Sequence, residues 1–238
     1  MGKKMNWCRL SIRISTIAIL HLSIIFLVLP LQLFAEPDNN ENIALLWSFG
    51  ALIGAEHDQR LIFIHKDTVL HTGNKIKFFV QPLNECFIYL LHFNAQGELL
   101  LLLPSDLSSE HVVTGSKYFV PTENLWFKLD EETGIEQFFL LASAKKLEKL
   151  ESLYLNYSEL INNLEIKASA LSILNEIKNL KHQHSTLTAA AERPVRLGGS
   201  FRGIEKDEKT LIPDISKFAI EISALNFYSR TFTIDHRQ

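Results

Sequence analysis

Between residues 61 and 143 the apolar residues fall in short blocks, each closed by a turn-forming residue. Residues 75–80 alternate, with Ile76, Phe78 and Val80 on one side and Lys75, Lys77 and Phe79 on the other. Side chains of a strand alternate between its faces, so this predicts a half-buried strand, stopped at Pro82 because proline has no N–H for the ladder. Residues 86–93 are almost continuously apolar and predict a central strand buried on both faces. Asn94-Ala95-Gln96-Gly97 then reads as a hairpin turn with Gly97 at the left-handed position, and 98–103 as the returning partner. Further strands are predicted at 61–64, 115–121, 126–130 and 135–143. In the last of these Phe138, Leu140 and Ala142 lie opposite Phe139 and Leu141. A turn is predicted at Thr72-Gly73-Asn74, and the apolar run 43–53 fits a strand or a short helix equally. Short strands at this spacing predict a mainly β protein, an antiparallel β-sandwich-like domain, and not alternating βαβ units.

The pattern changes after Ala144. Residues 145–184 contain neither proline nor glycine. Leu147, Leu150, Tyr154, Tyr157, Ile161, Leu164, Ala168, Leu171 and Leu174 recur at gaps of three and four, a helical stripe. Asn162-Asn163 divides it, so the expectation is a helical insert of two helices packed on the sheet. Residues 185–209 read as a loop and 215–222 as a strand. Residues 226–236 alternate again, as a final strand closing the sheet.

The amino terminus has a different character. Lys3, Lys4, Arg9 and Arg13 precede a nearly unbroken apolar run over 17–34, Leu33-Phe34-Ala35 offers a processing site, and a polar stretch starts at Glu36. This layout predicts a signal peptide at 1–35 and a single β-rich domain over 36–238, exported to the periplasm or cell envelope. An uncleaved membrane anchor over 14–34 is the alternative, since about 18 apolar residues just span a bilayer. Loss of 1–35 leaves 20 basic against 27 acidic residues, a net charge of −7, which argues against a nucleic-acid partner. One cysteine then remains, Cys86, so no internal disulfide forms, and a buried apolar role is expected for it.

The pieces Gly73-Asn74, Cys86-Phe87-Ile88-Tyr89, Gln96-Gly97, Leu102-Leu103-Pro104, Gly115-x-x-Tyr118-x-x-Pro121 and Gly134-Ile135-Glu136 together resemble the bacterial domain-of-unknown-function family 4384 over residues 67–143. Asn74, where that pattern favours aspartate, and Leu103 before Pro104, where it favours an aromatic, depart from it. The resemblance implies an extracytoplasmic β-rich module and implies no activity.

Candidate chemistry is sparse. Cys86 and His92 lie six residues apart on one predicted strand, about 20 Å, too far to pair. Gly199-Ser200 lacks the strand–turn–helix setting of a nucleophile elbow. His182 and His184, even with His57 or His111, do not complete a zinc set, and Asp130, Glu131 and Glu132 fit a solvated turn. No catalytic, cofactor or metal residues are assigned. Two regions are expected to make contacts: the aromatic face at Tyr118 and Trp126, and the loop carrying Arg196 and Arg202, whose glycines suit backbone binding of an anion or glycan. The expected function is non-catalytic binding or scaffolding in the envelope, with a protein or cell-wall glycan as partner. A membrane-tethered subunit associating through its helices is the alternative, ahead of an unrecognised hydrolase.

Overall fold

A computed structural model describes residues 42–55, 58–105, 107, 113–122, 124–160, 163–185, 191–194 and 213–238. The run left open between strand and helix is strand β1 (Asn42–Ile53), and it is the middle of the first sheet. Strand β4 (Lys75–Pro82) lies antiparallel along one edge of β1. Strands β11 (Ile220–Leu225) and β2 (Arg60–Phe63) share its other edge in succession. Beyond β4 come β7 (Tyr118–Val120) and β8 (Phe127–Lys128), and beyond β11 comes β10 (Ala191–Pro194). The second sheet runs β3 (Thr68–His71), β12 (Phe227–Arg237), β9 (Gly134–Ser143), β5 (Phe87–Phe93), β6 (Leu99–Leu103).

The two sheets pack face to face over one apolar core. Phe49 and Phe78 sit opposite each other in the first sheet, and Phe138 and Phe232 do so in the second. These four rings meet across the sandwich, with Phe49 stacked on Phe78 at 3.6 Å and edge-on to Phe138 and Phe232, both at 5.3 Å. Such ring pairs add about 0.5–1.5 kcal/mol each beyond the area they bury.

The outer face of the second sheet is covered by α1 (Glu148–Ser158) and α2 (Asn163–Gln183), so Tyr89, Leu91, Phe139 and Leu141 are buried as fully as their inward neighbours. No side chain caps the start of α1. Tyr89 on β5 supplies the contact: its hydroxyl accepts from Leu147 N–H at 3.2 Å and donates to Glu151 at 2.6 Å. Burial and the Glu151 carboxylate both push the Tyr89 phenol well above its ordinary pKa. Two more tyrosines act at the sheet edge. Tyr157 and Tyr154 hydroxyls accept from the Leu99 and Leu101 N–H groups of edge strand β6, at 2.8 and 3.1 Å.

Several expectations are corrected. The second sheet is mixed, because β3 and β12 run parallel. Strand β12 does not close its sheet but lies one strand in, between β3 and β9. Residues 215–222 are not one strand: a 3-10 turn (Ile215–Phe218) precedes β11. The predicted 185–209 loop contains β10. Strand β4 is buried on both faces, with Lys77 only 2% exposed, because the 3-10 turn, Phe119 and Trp126 cover its outer side. Lys77 is accommodated by the Thr122 carbonyl at 3.2 Å and by the rings of Phe119 and Trp126. The helical stripe changes register between the helices. In α2 the buried apolar residues are Ala170, Ile173, Ile177 and Leu180, while Leu171 is 56% exposed.

Candidate binding cleft

Alternation places the even-numbered residues of β5, β9 and β12 on the inner face of the second sheet. Over most of their length these are apolar: Ile88 and Leu90, then Phe138, Leu140 and Ala142, then Tyr228, Phe232 and Ile234. At one end the same positions become His92, Glu136 and His236. Register joins them diagonally, since His92 lies opposite Phe138, Glu136 opposite Ile234 and His236 opposite Gly134. His92 Nε2 is hydrogen-bonded to Glu136 Oε2, and its ring stacks on Phe138 at 4.3 Å. His236, 2% exposed, meets the Thr72 hydroxyl through Nε2 at 3.1 Å. Glu136 has a side chain only 9% exposed, and its other oxygen, Oε1, has no partner among the described residues.

These groups form the floor of a cleft of about 280 Å³. Its walls are Leu100 and Leu102 of β6, Phe127 and Lys128 of β8, and the chain at Leu129, Asp130 and Glu132. Leu129 holds that chain in place by exchanging backbone bonds with the 72–74 turn, accepting from Gly73 at 2.8 Å and donating to Asn74 at 2.9 Å. Asn94 and Gln96 of the β5–β6 hairpin complete the rim. Gly134 sets how near that hairpin comes: it has a φ of +145°, and a Cβ there would meet the Ala95 Cβ at 2.5 Å. The lining therefore mixes apolar walls with charged and amide side chains, and among the described residues it carries no hydroxyl or thiol.

The expected contact residues lie elsewhere. Tyr118 packs toward the inter-sheet core and its hydroxyl accepts from Val113 N–H at 2.7 Å. Trp126 packs on the opposite face of the first sheet, near Phe79 and Ile215, with its indole N–H buried and without an acceptor among the described residues. The structure does not bring the two onto one surface. Arg196 and Arg202 lie outside the described residues, as do the predicted signal peptide and His57 and His111. Cys86 is fully buried at the far end of β5 from His92, and burial pushes its thiol up to about 11. His184 stacks on Phe227 at 4.8 Å, and among the described residues no group of three histidine, cysteine or acidic side chains is placed to hold a metal ion. The pairing of His92 with Glu136 was missed by sequence reasoning. Its signal was there: both residues continue the core-facing parity of an apolar strand with a polar side chain.

The fold is a two-sheet β-sandwich with a helical layer. Residues 69–146 match the family model for the domain of unknown function DUF4384. That segment is about a third of the chain. It carries most of the cleft, His92 and Glu136 included, but not His236, the long strands β1 and β12, or the main body of the helices. No curated protein and no solved structure matches the chain.

Proposed function

We propose that this protein is an exported, non-catalytic binding module of the bacterial envelope, and that its ligand is held in the cleft floored by His92 and Glu136. The observation that carries the reading is that cleft: polar groups converge where a sandwich core ordinarily stays dry, beneath apolar walls, the make-up of a ligand site. Support for a binding role over a catalytic one is chemical. His92 is held by a carboxylate, and among the described residues the groups that line the cleft beside it are amides, charged side chains and apolar side chains, which suit holding a ligand. Support for export is the charged, apolar and polar succession over residues 1–41. The test is capture from intact cells with a C-terminally tagged chain and its Leu100→Trp variant, which fills the cleft from an exposed wall. Recovery in the envelope fraction of a species lost with Leu100→Trp supports the reading. Equal recovery by both chains moves binding away from the cleft.

The helical layer favours a second reading, a membrane-tethered subunit that pairs through its helices. Leu155 of α1 and Leu171 of α2 are 51% and 56% exposed. Retention of the chain in membranes after high-salt washing, with association lost on Leu155→Ser/Leu171→Ser, distinguishes it.

A further inference from the structure

We infer that the cleft holds one pyranose ring of a glycan. The inference rests on the reading of the cleft as the ligand site and names the class of its occupant. The floor asks for no counter-ion, because the Glu136 carboxylate is already hydrogen-bonded to His92. The polar residues left to meet a guest are exposed ones: Gln96 with its amide, Lys128, and Asp130 and Glu132 with their carboxylates. Asp130 Oδ1 accepts from the Glu132 N–H at 2.8 Å, which keeps those two residues on one turn beside the cleft. Donors and acceptors therefore share one lining. A guest with a single charge, of either sign, meets a group that repels it. A purely apolar guest strips water from these groups and returns no hydrogen bond. A hydroxyl donates one hydrogen bond and accepts two, so a ring of hydroxyls answers amide, ammonium and carboxylate together.

The walls supply a surface on which such a ring can lie. Phe127 pairs with Ile76, a core residue, so its side chain takes the inter-sheet side that the floor also faces. Leu100 and Leu102 of β6 line the same space. Phe127 is 37% and Leu100 49% exposed, so apolar surface reaches the solvent beside the polar groups. A sugar ring has the same two-sided make-up, a face of C–H bonds and a polar rim. Its C–H hydrogens carry slight positive charge and suit the negative face of an aromatic ring. At about 280 Å³ the cleft is at the small end of ligand sites, which run from about 300 to 1,000 Å³, so it takes one ring at a time. Strands β6 and β8 both lie at sheet edges, so the cleft opens at the side of the sandwich and leaves the neighbouring units of a chain outside.

The experiment follows the amide signals of Gln96, Leu100 and Phe127 by nuclear magnetic resonance while the chain purified from cells is titrated. The probes are cellobiose, the N-acetylglucosamine disaccharide of the same linkage, and two capped tripeptides centred on lysine and on phenylalanine. A sugar is expected to shift all three signals, with an affinity that holds between about 50 and 500 mM salt because a neutral guest has no charge to screen. Preference for the N-acetylglucosamine disaccharide assigns the ligand to cell-wall glycan, and preference for cellobiose to a glucose-based polysaccharide. Phe127→Ala is expected to weaken binding about three- to tenfold, the scale of one ring contact. Asp130→Asn/Glu132→Gln keeps the side-chain shapes and is expected to weaken it about three- to fivefold. Leu100→Trp is expected to abolish it. Circular dichroism checks the fold of each variant. Tighter binding of either tripeptide overturns the glycan inference and leaves the cleft reading standing. Sugar binding unchanged by both Phe127→Ala and Leu100→Trp overturns it too, since the sugar is then held elsewhere. No binding of either sugar also overturns it, and the cleft reading falls as well only if Leu100→Trp recovers the same envelope species as the native chain.

Discussion

The inner face of the second sheet has two ends built on the same three strands and the same parity. At one end Ile88, Ala142 and Tyr228 lie side by side, close to Cys86, all deep in the sandwich. At the other His92, Glu136 and His236 take the equivalent positions and floor a cleft. What separates the ends is the roof. Over the middle of the face β1 and β4 supply Trp47, Phe49, Phe78 and Val80, and every polar group there would be stranded. Over the polar end the roof is Ile76 and two residues of β8, and it stops short. Parity decides which face a side chain occupies; the opposing sheet decides what chemistry that face tolerates.

Substitutions at the two ends sharpen or break this contrast. Phe232→Ala removes one of the four rings at the centre and is expected to destabilise the fold by about 3–5 kcal/mol in urea titration. A loss below about 1 kcal/mol would mean the rings are not its foundation. At the dry end, Cys86 gives the next effect. Its folded-state pKa of about 11 lies above the 9.0 of an ordinary thiol, so the native state holds the proton more tightly than the unfolded chain. The stability linked to it is complete below pH 9 and is lost as pH rises toward 11, by up to about 3 kcal/mol. Denaturation curves at a series of alkaline pH values should show this fall, and Cys86→Ala should shrink it. The raised phenols of Tyr89 and Tyr228 leave a residual slope. At the polar end the expected sign reverses. Replacing the buried pair together, His92→Phe/Glu136→Leu, should stabilise the fold by about 2 kcal/mol, since a well-packed apolar pair often exceeds an ionic one. A double variant less stable than the native chain would make the polar end structural and weaken its reading as a binding site. The smallest effect lies at the sheet edge: Tyr157→Phe strips the acceptor from Leu99 N–H and should cost about 1 kcal/mol, with faster hydrogen exchange at that amide.

Much of this architecture could be read from the pattern of residues. The 86–93 and 135–143 strands, the Gly97 turn (φ +86°), the helical insert and the burial of Cys86 all follow from local composition. The errors have one physical source, the influence of distant parts of the chain. Lys77 reads as solvent-facing because the covering turn at Ile215–Phe218 comes far later in sequence. Leu171 reads as part of one stripe because a stripe counted through Asn162-Asn163 ignores that α1 ends at Ser158 and α2 starts afresh at Asn163. Tyr118 and Trp126 read as one aromatic face, yet the β7–β8 segment puts them on opposite sides of the sheet. His92 and Glu136 each carry a visible local anomaly, a polar residue on a core parity. Only the β5–β9 pairing brings the two anomalies into contact.

The tyrosines at the edge of the second sheet bear on solubility. Strand β6 is five consecutive leucines at the rim of a sheet, the kind of segment that recruits another chain into a growing ladder. Two of its N–H groups are occupied by phenol oxygens standing where the carbonyls of a further strand would be. The helical layer thus acts as an in-built gatekeeper, occupying the sticky rim with groups that cannot be extended into another strand. Tyr154→Phe/Tyr157→Phe would keep the helical layer over the sheet and free both N–H groups, so crowding should drive such a chain to stack edge to edge.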